Sequence, residues 1–131
     1  MNRPLNQPGA VVRGERFLNN SGQYEIVYNG GRSWADKEIV LRALPNALEV
    51  SRFGFVVSRR LGKAVVRNRV KRRLREIARQ TTVRAGWDIV FIARVPAAAA
   101  NYKELEKSAR KLLLKADIIV GENEIHSLDT D

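Results

Sequence analysis

Apolar positions along the chain change period several times, and each change marks an element. Between Ser21 and Gly31, residues Tyr24, Val27 and Tyr28 fall at the i, i+3, i+4 spacing of one helical face. Ser21 is the expected cap of that helix, and Gly30 and Gly31 its stop. Glu38 to Leu44 (EIVLRAL) and Arg52 to Ser58 (RFGFVVS) read as strands, with Pro45 and Asn46 marking the connection. The second strand places Phe53, Phe55 and Val57 on one face and Gly54 and Val56 on the other. The helical period then returns, because Val66, Val70, Leu74, Ile77 and Ala78 cluster on one face at 100° per residue. Asp88 to Arg94 (DIVFIAR), bounded by Gly86 and Pro96, is a near-continuous apolar run that fits a strand covered on both faces. Asn101, with Glu104 three residues on, forms a capping-box pattern ahead of a last helix. Its buried stripe is expected to be Tyr102, Leu105, Ala109, Leu112, Leu113 and Ala116.

This order predicts an α/β sandwich with helices stacked against a small sheet. A strand–helix–strand crossover within one sheet is right-handed by default. Residues 1–12, with Pro4, Pro8 and Gly9, carry few clustered apolar groups and read as a flexible N-terminal arm. Residues 122–131 hold four acids and no Lys or Arg, and read as an acidic disordered tail. Residues 13–121 are then a single domain, and no internal repeat is present.

Composition narrows the class. The 131 residues are 44% hydrophobic, enough for one core that buries roughly two thirds of the unfolded surface. No apolar run approaches the ~20 residues of a membrane span, the first residues lack an apolar signal core, and there is no cysteine for disulfides or cysteine-ligated zinc. A cytoplasmic protein is the simplest expectation.

Charge changes the picture most. The net charge is +10, and Arg59 to Arg75 carries nine Arg or Lys in seventeen positions. The window 51–75 holds ten such residues, eight of them Arg, and no Asp or Glu, although the chain has 14 acids. On the predicted basic helix the polar arc is Asn68, Arg69, Lys71, Arg72, Arg75 and Arg79, with Arg67 and Arg73 at its margins and Glu76 the one acid. A solvated face is the bland explanation of a charge run, but ten like charges repel one another unless a polyanion compensates them. The planar guanidinium suits phosphate oxygens, and each neutralised phosphate releases counterions. Nucleic acid is the expected partner, with an anionic membrane surface as the rival. The rival is weakened because the stripe of Val66, Val70 and Leu74 is narrow and lacks interfacial Trp or Phe. Reading of the DNA major groove is weakened because Asn68 is the single base-reading amide on the arc.

Little else points to chemistry. His126 stands alone in the acidic tail, where an exposed unperturbed histidine is the ordinary case. Asp36 and Glu38 alternate at a strand entrance, as paired carboxylates or as a solvated edge. The glycines sit in no phosphate-loop or dinucleotide frame, so no active site within the protein is expected. Tyr24, Tyr28, Phe53 and Phe55 read either as core or as a stacking platform for bases, and Trp34 and Trp87 as wedges between layers.

Ser58 to Glu76, SRRLGKAVVRNRVKRRLRE, resembles the RNR box of the protein subunit of bacterial ribonuclease P. The likeness includes the strand ending GFVVS, the K-x-x-x-R-N-R-x-K-R-x-x-R spacing from Lys63 to Arg75, and D-I-V-F-I-A-R-x-P from Asp88 to Pro96. It continues more weakly through Arg16, Leu18, Tyr24, Val27, Tyr28 and Gly31, and through Tyr102, Glu104 and Leu112, covering about residues 13–118. The resemblance implies a two-layer α/β sandwich of about four strands and three helices, with a left-handed βαβ crossover in place of the right-handed default. It implies a protein that does not itself cut RNA. Its partner, the catalytic ribonuclease P RNA with bound Mg²⁺, removes the 5′ leader of precursor tRNA. By the same likeness, Arg67, Asn68, Arg69, Lys71, Arg72 and Arg75 meet the catalytic RNA, and Arg59, Arg60 and Lys63 extend the contact. The single-stranded leader runs along a cleft between the sheet and the first helix, beside Tyr24 and Tyr28, with Phe53 shared between cleft and core. Where the family often has a further strand aromatic, this chain offers Arg42. No metal ligand in the protein is implied. The alternative function is a ribosomal or other structural RNA-binding protein with no part in cleavage.

Overall fold

The computed structural model describes residues 11–119. In chain order these form β1 (Val11–Arg13), β2 (Arg16–Phe17), α1 (Ser21–Gly30), β3 (Arg32–Ala35), β4 (Ile39–Pro45), β5 (Arg52–Val57), α2 (Ala64–Arg79), β6 (Thr82–Arg84), β7 (Trp87–Ala93) and α3 (Tyr102–Lys115). Short 3₁₀ turns, Arg59–Leu61 and Val95–Ala98, follow β5 and β7. The main sheet has the order β2-β5-β7-β4-β3, and β1 and β6 make a separate antiparallel ribbon.

The α/β sandwich with three helices stands, with more strands than the sequence predicts. β5 and β7 are adjacent and parallel, joined through α2, while β4 runs antiparallel to β7 and β3 to β4. The additional strands β1, β2, β3 and β6 have two to four residues each, too few for a period of two to register. The ribbon takes in Val11 and Val12, which pair with Arg84 and Val83, so the expected arm is shorter at its inner end. The remainder of that arm, and the acidic tail with His126, lie outside the described residues.

Strand alternation divides the core. Ile39, Leu41 and Ala43 of β4, Phe53 and Phe55 of β5, and Ile89, Phe91 and Ala93 of β7 form one face, covered by α2 and α3. Val90, with Val56 and Ile92 packed against it, belongs to the other, where Tyr24 and Val27 of α1 and Leu18 complete a smaller cluster. β7 is thus apolar on both sides, as its continuous run predicts.

The helix termini follow local chemistry. The cap of α1 is Asn20, one residue before the expected Ser21: its side chain accepts the Gln23 N–H at 2.9 Å while Gln23 Oε1 accepts the Asn19 N–H at 2.7 Å. The capping box of α3 forms in both directions, at 2.9 Å and 2.8 Å between Asn101 and Glu104. Val70, Leu74, Ile77 and Ala78 of α2 are buried, and Val66 is half-buried at the helix start.

Two polar clasps close the domain. Arg52 and Asp88 face each other across β5 and β7, with Arg52 Nε 2.9 Å from Oδ1 and Nη2 2.7 Å from Oδ2, and Asn46 Nδ2 donates to Oδ1 at 2.9 Å. Asp36, in the β3–β4 turn, accepts from its neighbour Lys37 N at 2.8 Å and from Ser108 of α3 at 3.2 Å, with Lys111 Nζ at 3.8 Å. The strand-entrance carboxylate therefore ties the sheet to α3 rather than pairing with Glu38.

Replacing Arg52 by Ala strands a carboxylate whose side chain is only 6% exposed. Chemical denaturation should show a loss of about 3 kcal/mol, as expected when one partner of a buried pair is removed. The Asp36 carboxyl is held below the ordinary aspartate range, first by the Lys37 N–H, with burial opposing and Ser108, Lys111 and Lys115 adding to the fall. A depressed pKa means stabilisation that is complete above the unfolded value and disappears as pH falls through the folded one. An Asp36→Asn variant should accordingly lose less stability than the parent in acid titrations below about pH 4.

Candidate nucleic-acid interface

The candidate site grows from the open edge of β5. β2 pairs with β5 only at Arg16–Arg52 and Phe17–Phe53. Past Phe17 the chain turns away into α1, and the edge of β5 from Gly54 onward has no strand beside it on that side. The Phe55 N–H there donates to the Tyr24 hydroxyl at 3.2 Å. A Cβ on Gly54 would lie 2.5 Å from Tyr24 Cε1, so the phenol lies directly on the strand backbone. Only glycine admits this approach without displacing the ring.

Between α1, this edge and α2 lies a cleft of about 370 Å³, lined by Phe17, Leu18, Tyr24, Phe53 and Phe55 on the apolar side and by Lys71, Arg75 and Arg79 on the other. Arg75 and Arg79 each hold their guanidinium carbon 5.9 Å from the centre of the Phe17 ring, a cation–π distance. Apolar rings and three cations facing one another suit a single strand of nucleic acid, whose bases stack and whose phosphates pair. A second recess of about 390 Å³ opens where β5 and β7 end, with Ser58, Arg60, Ile92, Arg94 and Pro96 among its walls.

Not every expected residue serves the cleft. Phe53 is fully buried, stacked at 6.4 Å on Phe55 and 5.6 Å from Phe91. It lines the cleft from the core side, as part of its floor, because its strand faces α2 and α3 there. Arg42 donates from Nη2 to the carbonyls of Tyr28 at 2.6 Å and Gly31 at 3.1 Å. It clasps the carbonyl end of α1, where the helix dipole favours a cation, and its guanidinium is already engaged with the protein. Tyr28 is 38% exposed beside it. Burial first, then Tyr24, raises the Tyr28 pKa against the opposing Arg42, which keeps the phenol neutral and a donor.

α2 sorts its cations by flank. Lys71, Arg75 and Arg79, at i, i+4 and i+8, face the cleft. Asn68, Lys71, Arg72, Arg59, Arg60 and Lys63 are exposed. Arg67 is half-buried and donates to Gly62 O at 3.2 Å. On the opposite flank, Arg69 donates to Ala98 O at 3.2 Å and Arg73 to Ala100 O at 3.0 Å, fastening α2 to the turn that leads into α3. Arg69 is therefore half-buried and engaged, unlike the open cations around it. Phe17, Leu18, Phe55 and Arg79 line the cleft without being among the expected site residues, although Phe55 reads from the sequence as core or stacking ring. The i, i+4, i+8 spacing from Lys71 was a usable signal for Arg79, whereas Phe17 depends on a two-residue strand.

No helix among the described residues is long and apolar enough to cross a membrane. Among the same residues no three His, Asp or Glu side chains converge to hold a metal.

Comparison with known proteins agrees with this architecture. The family model described as Ribonuclease P matches residues 12–117. A ribonuclease P protein component from Dehalococcoides mccartyi is 45% identical over 114 residues, spanning 87% of this chain and 95% of the relative. One from Clostridioides difficile is 39% identical over 79% of this chain and 93% of its own length. The solved ribonuclease P protein of Staphylococcus aureus superposes with a TM-score of 0.71 at 28% identity, covering 79% of this chain and 96% of that one. That of Thermotoga maritima does so with a TM-score of 0.70 at 28% identity, covering 82% and 100%. With the RNR spacing, the parallel β5–α2–β7 unit and the basic cleft in place, these matches establish that the chain belongs to the ribonuclease P protein family, the protein components of a ribonucleoprotein endonuclease.

Proposed function

We propose that this chain binds the catalytic RNA of ribonuclease P and the 5′ leader of precursor tRNA, and assists Mg²⁺-dependent removal of the leader in the cytoplasm. The observation that carries this reading is the cleft that sets Tyr24 and Phe17 opposite Lys71, Arg75 and Arg79, on a chain of net charge +10. Arg59, Arg60, Lys63, Arg67, Asn68 and Arg72 meet phosphates of the catalytic RNA, and Lys71 and Arg75 stand between that contact and the leader. Tyr24 and Tyr28 stack on or hydrogen-bond to leader nucleotides. Arg42 and Phe53 act indirectly, by fixing the end of α1 and supporting the floor. Arg69 acts mainly by fastening α2.

The protein supplies no nucleophile or general base in this reading. In this reading Mg²⁺, held mainly by RNA phosphates, would supply charge compensation and water activation at the scissile phosphate. The protein cations replace part of the screening between two polyanions and lower the Mg²⁺ that the RNA requires. A purely structural RNA-binding role gains no support from the leader-sized cleft.

Cleavage of a precursor tRNA by a bacterial ribonuclease P RNA at low Mg²⁺ is the direct check. The intact chain should restore correct 5′ cleavage, and an Arg67→Ala/Arg72→Ala double variant should weaken the rescue without changing the cleavage position. RNA binding without rescue at any Mg²⁺ concentration would favour the structural alternative. If ~6–10 phosphates are neutralised, affinity should fall by roughly three to five decades between 50 and 200 mM salt. Gly54→Ala, which displaces the Tyr24 ring, should lower affinity for leader-bearing over leaderless substrate roughly tenfold, the value of one stacked base. Binding to the catalytic RNA should remain near parental.

A further inference from the structure

The outward face of α3 carries charge that the leader cleft does not use and the fold uses only at the Asp36 end. Lys103, Lys107, Arg110, Lys111 and Lys115 are exposed on this helix. At 100° per residue, Lys103, Lys107 and Arg110 lie within one narrow arc, with Lys111 beside it. Lys103, Lys107 and Arg110 make no ion pair among the described residues, and Lys111 is shared with Asp36 at 3.8 Å. Of the two acids on α3, Glu104 is engaged in the capping box. The stripe lines a shallow groove of about 570 Å³, and from Lys103 to Lys111 it runs about 12 Å at 1.5 Å per residue.

This track is separate from the one on α2. The half-buried Glu76 of α2 and Glu106 of α3 both act on the Tyr102 phenol, raising its pKa after burial has done so. Tyr102 begins α3 and packs against the main core. Glu76 is itself engaged, accepting from Gln80 at 2.9 Å with Arg79 at 3.9 Å, and on that side α2 turns Arg69 and Arg73 inward to backbone carbonyls. A phosphate chain on α2 finds Arg69 and Arg73 already engaged on the way to α3. The α3 track also has no aromatic ring among its groove residues and no cleft wall opposite it. It matches backbone phosphates and offers nothing for stacking unpaired bases.

We propose that the outer face of α3 is a second RNA-binding surface, which takes the phosphate backbone of a double-helical RNA segment through Lys103, Lys107 and Arg110. The protein then bridges two RNA segments, a single strand at the Phe17–Tyr24 cleft and a duplex at α3. This rests on the ribonuclease P reading above, and the two probes below report on the two surfaces separately.

The test uses the full chain with two plain probes: a blunt RNA duplex of about 16 base pairs and a single-stranded RNA of about ten nucleotides. A Lys103→Ala/Lys107→Ala/Arg110→Ala variant should bind the duplex about tenfold or more weakly, with its log–log salt slope reduced by roughly two to three. Its binding to the single strand should stay within about twofold of the parent. A charge-keeping Lys103→Arg/Lys107→Arg/Arg110→Lys variant should retain duplex binding, which a packing role for these side chains would not predict. Unchanged duplex affinity in the alanine variant overturns the proposal, as does an equal fall for both probes. It is likewise overturned if the variant loses binding to anionic phospholipid vesicles while keeping the duplex, since that assigns the face to a lipid surface. Failure of the parent to bind the single strand would count instead against the leader cleft.

Discussion

The structure depends on holding a self-repelling helix against a sheet. α2 carries seven cations and one acid over sixteen residues, so its charges oppose both helix formation and close approach to other basic elements. Val70, Leu74 and Ile77, fully or almost fully buried, offer roughly 5–8 kcal/mol of transfer free energy as an upper estimate. Two of the cations then become anchors: Arg69 and Arg73 reach the carbonyls of Ala98 and Ala100, oxygens that would otherwise need solvent or another donor. The opposite side of the helix meets close-packed backbone, since a Cβ on Gly14 would lie 2.1 Å from Ala78 O. Pinned on both sides, α2 keeps its remaining cations pointing at the cleft and at solvent.

Sheet register gives the second layer of control. Arg42, Val90 and Gly54 stand in one row across β4, β7 and β5, and α1 rests on that row. Val90 joins Val27 in the small cluster, Gly54 lets the Tyr24 ring down onto the strand, and Arg42 holds the last carbonyls of the helix. The next row, Leu44, Asp88 and Arg52, contains the buried ion pair. A shift of one residue would exchange the faces of the shifted strand, turning Arg42 of β4 into the core under α2 and α3, or Phe55 of β5 out towards Tyr24. The cleft thus exists only in the observed register.

Much of this was legible in the sequence because long elements carry their own periodicity. α2, α3, β4, β5 and β7 follow from apolar spacing, and the Asn101–Glu104 box fixes the start of α3. The strands β2 and β3 were not legible, since pairs such as Arg16–Arg52 belong to tertiary contact rather than to local pattern. The same applies to Arg42 and Arg69, whose types suit phosphate but whose positions put carbonyls within reach. Phe53 illustrates depth: alternation assigns it to the correct face, yet how far that face is covered depends on where α2 and α3 lie. The basic character of the site is a property of composition, whereas the division of cations between structure and ligand depends on tertiary contacts.

That division explains how one small domain can face two polyanions without merging them. A continuous basic plane over α2 and α3 would let one RNA chain spread across both helices, at a free energy nearly independent of register. Arg69 and Arg73 are withdrawn from such a plane by their carbonyl partners. What remains is a rim of Lys71, Arg75 and Arg79 around aromatic rings and a ring-free stripe on α3. Unpaired bases gain from the first, because stacking adds to the Coulomb attraction there. A duplex has its bases already stacked and gains only from phosphate contacts, which the proposed α3 surface would supply. On the proposed reading, equal charge on the two faces gives unequal selectivity, because aromatic rings line the first and none lines the second.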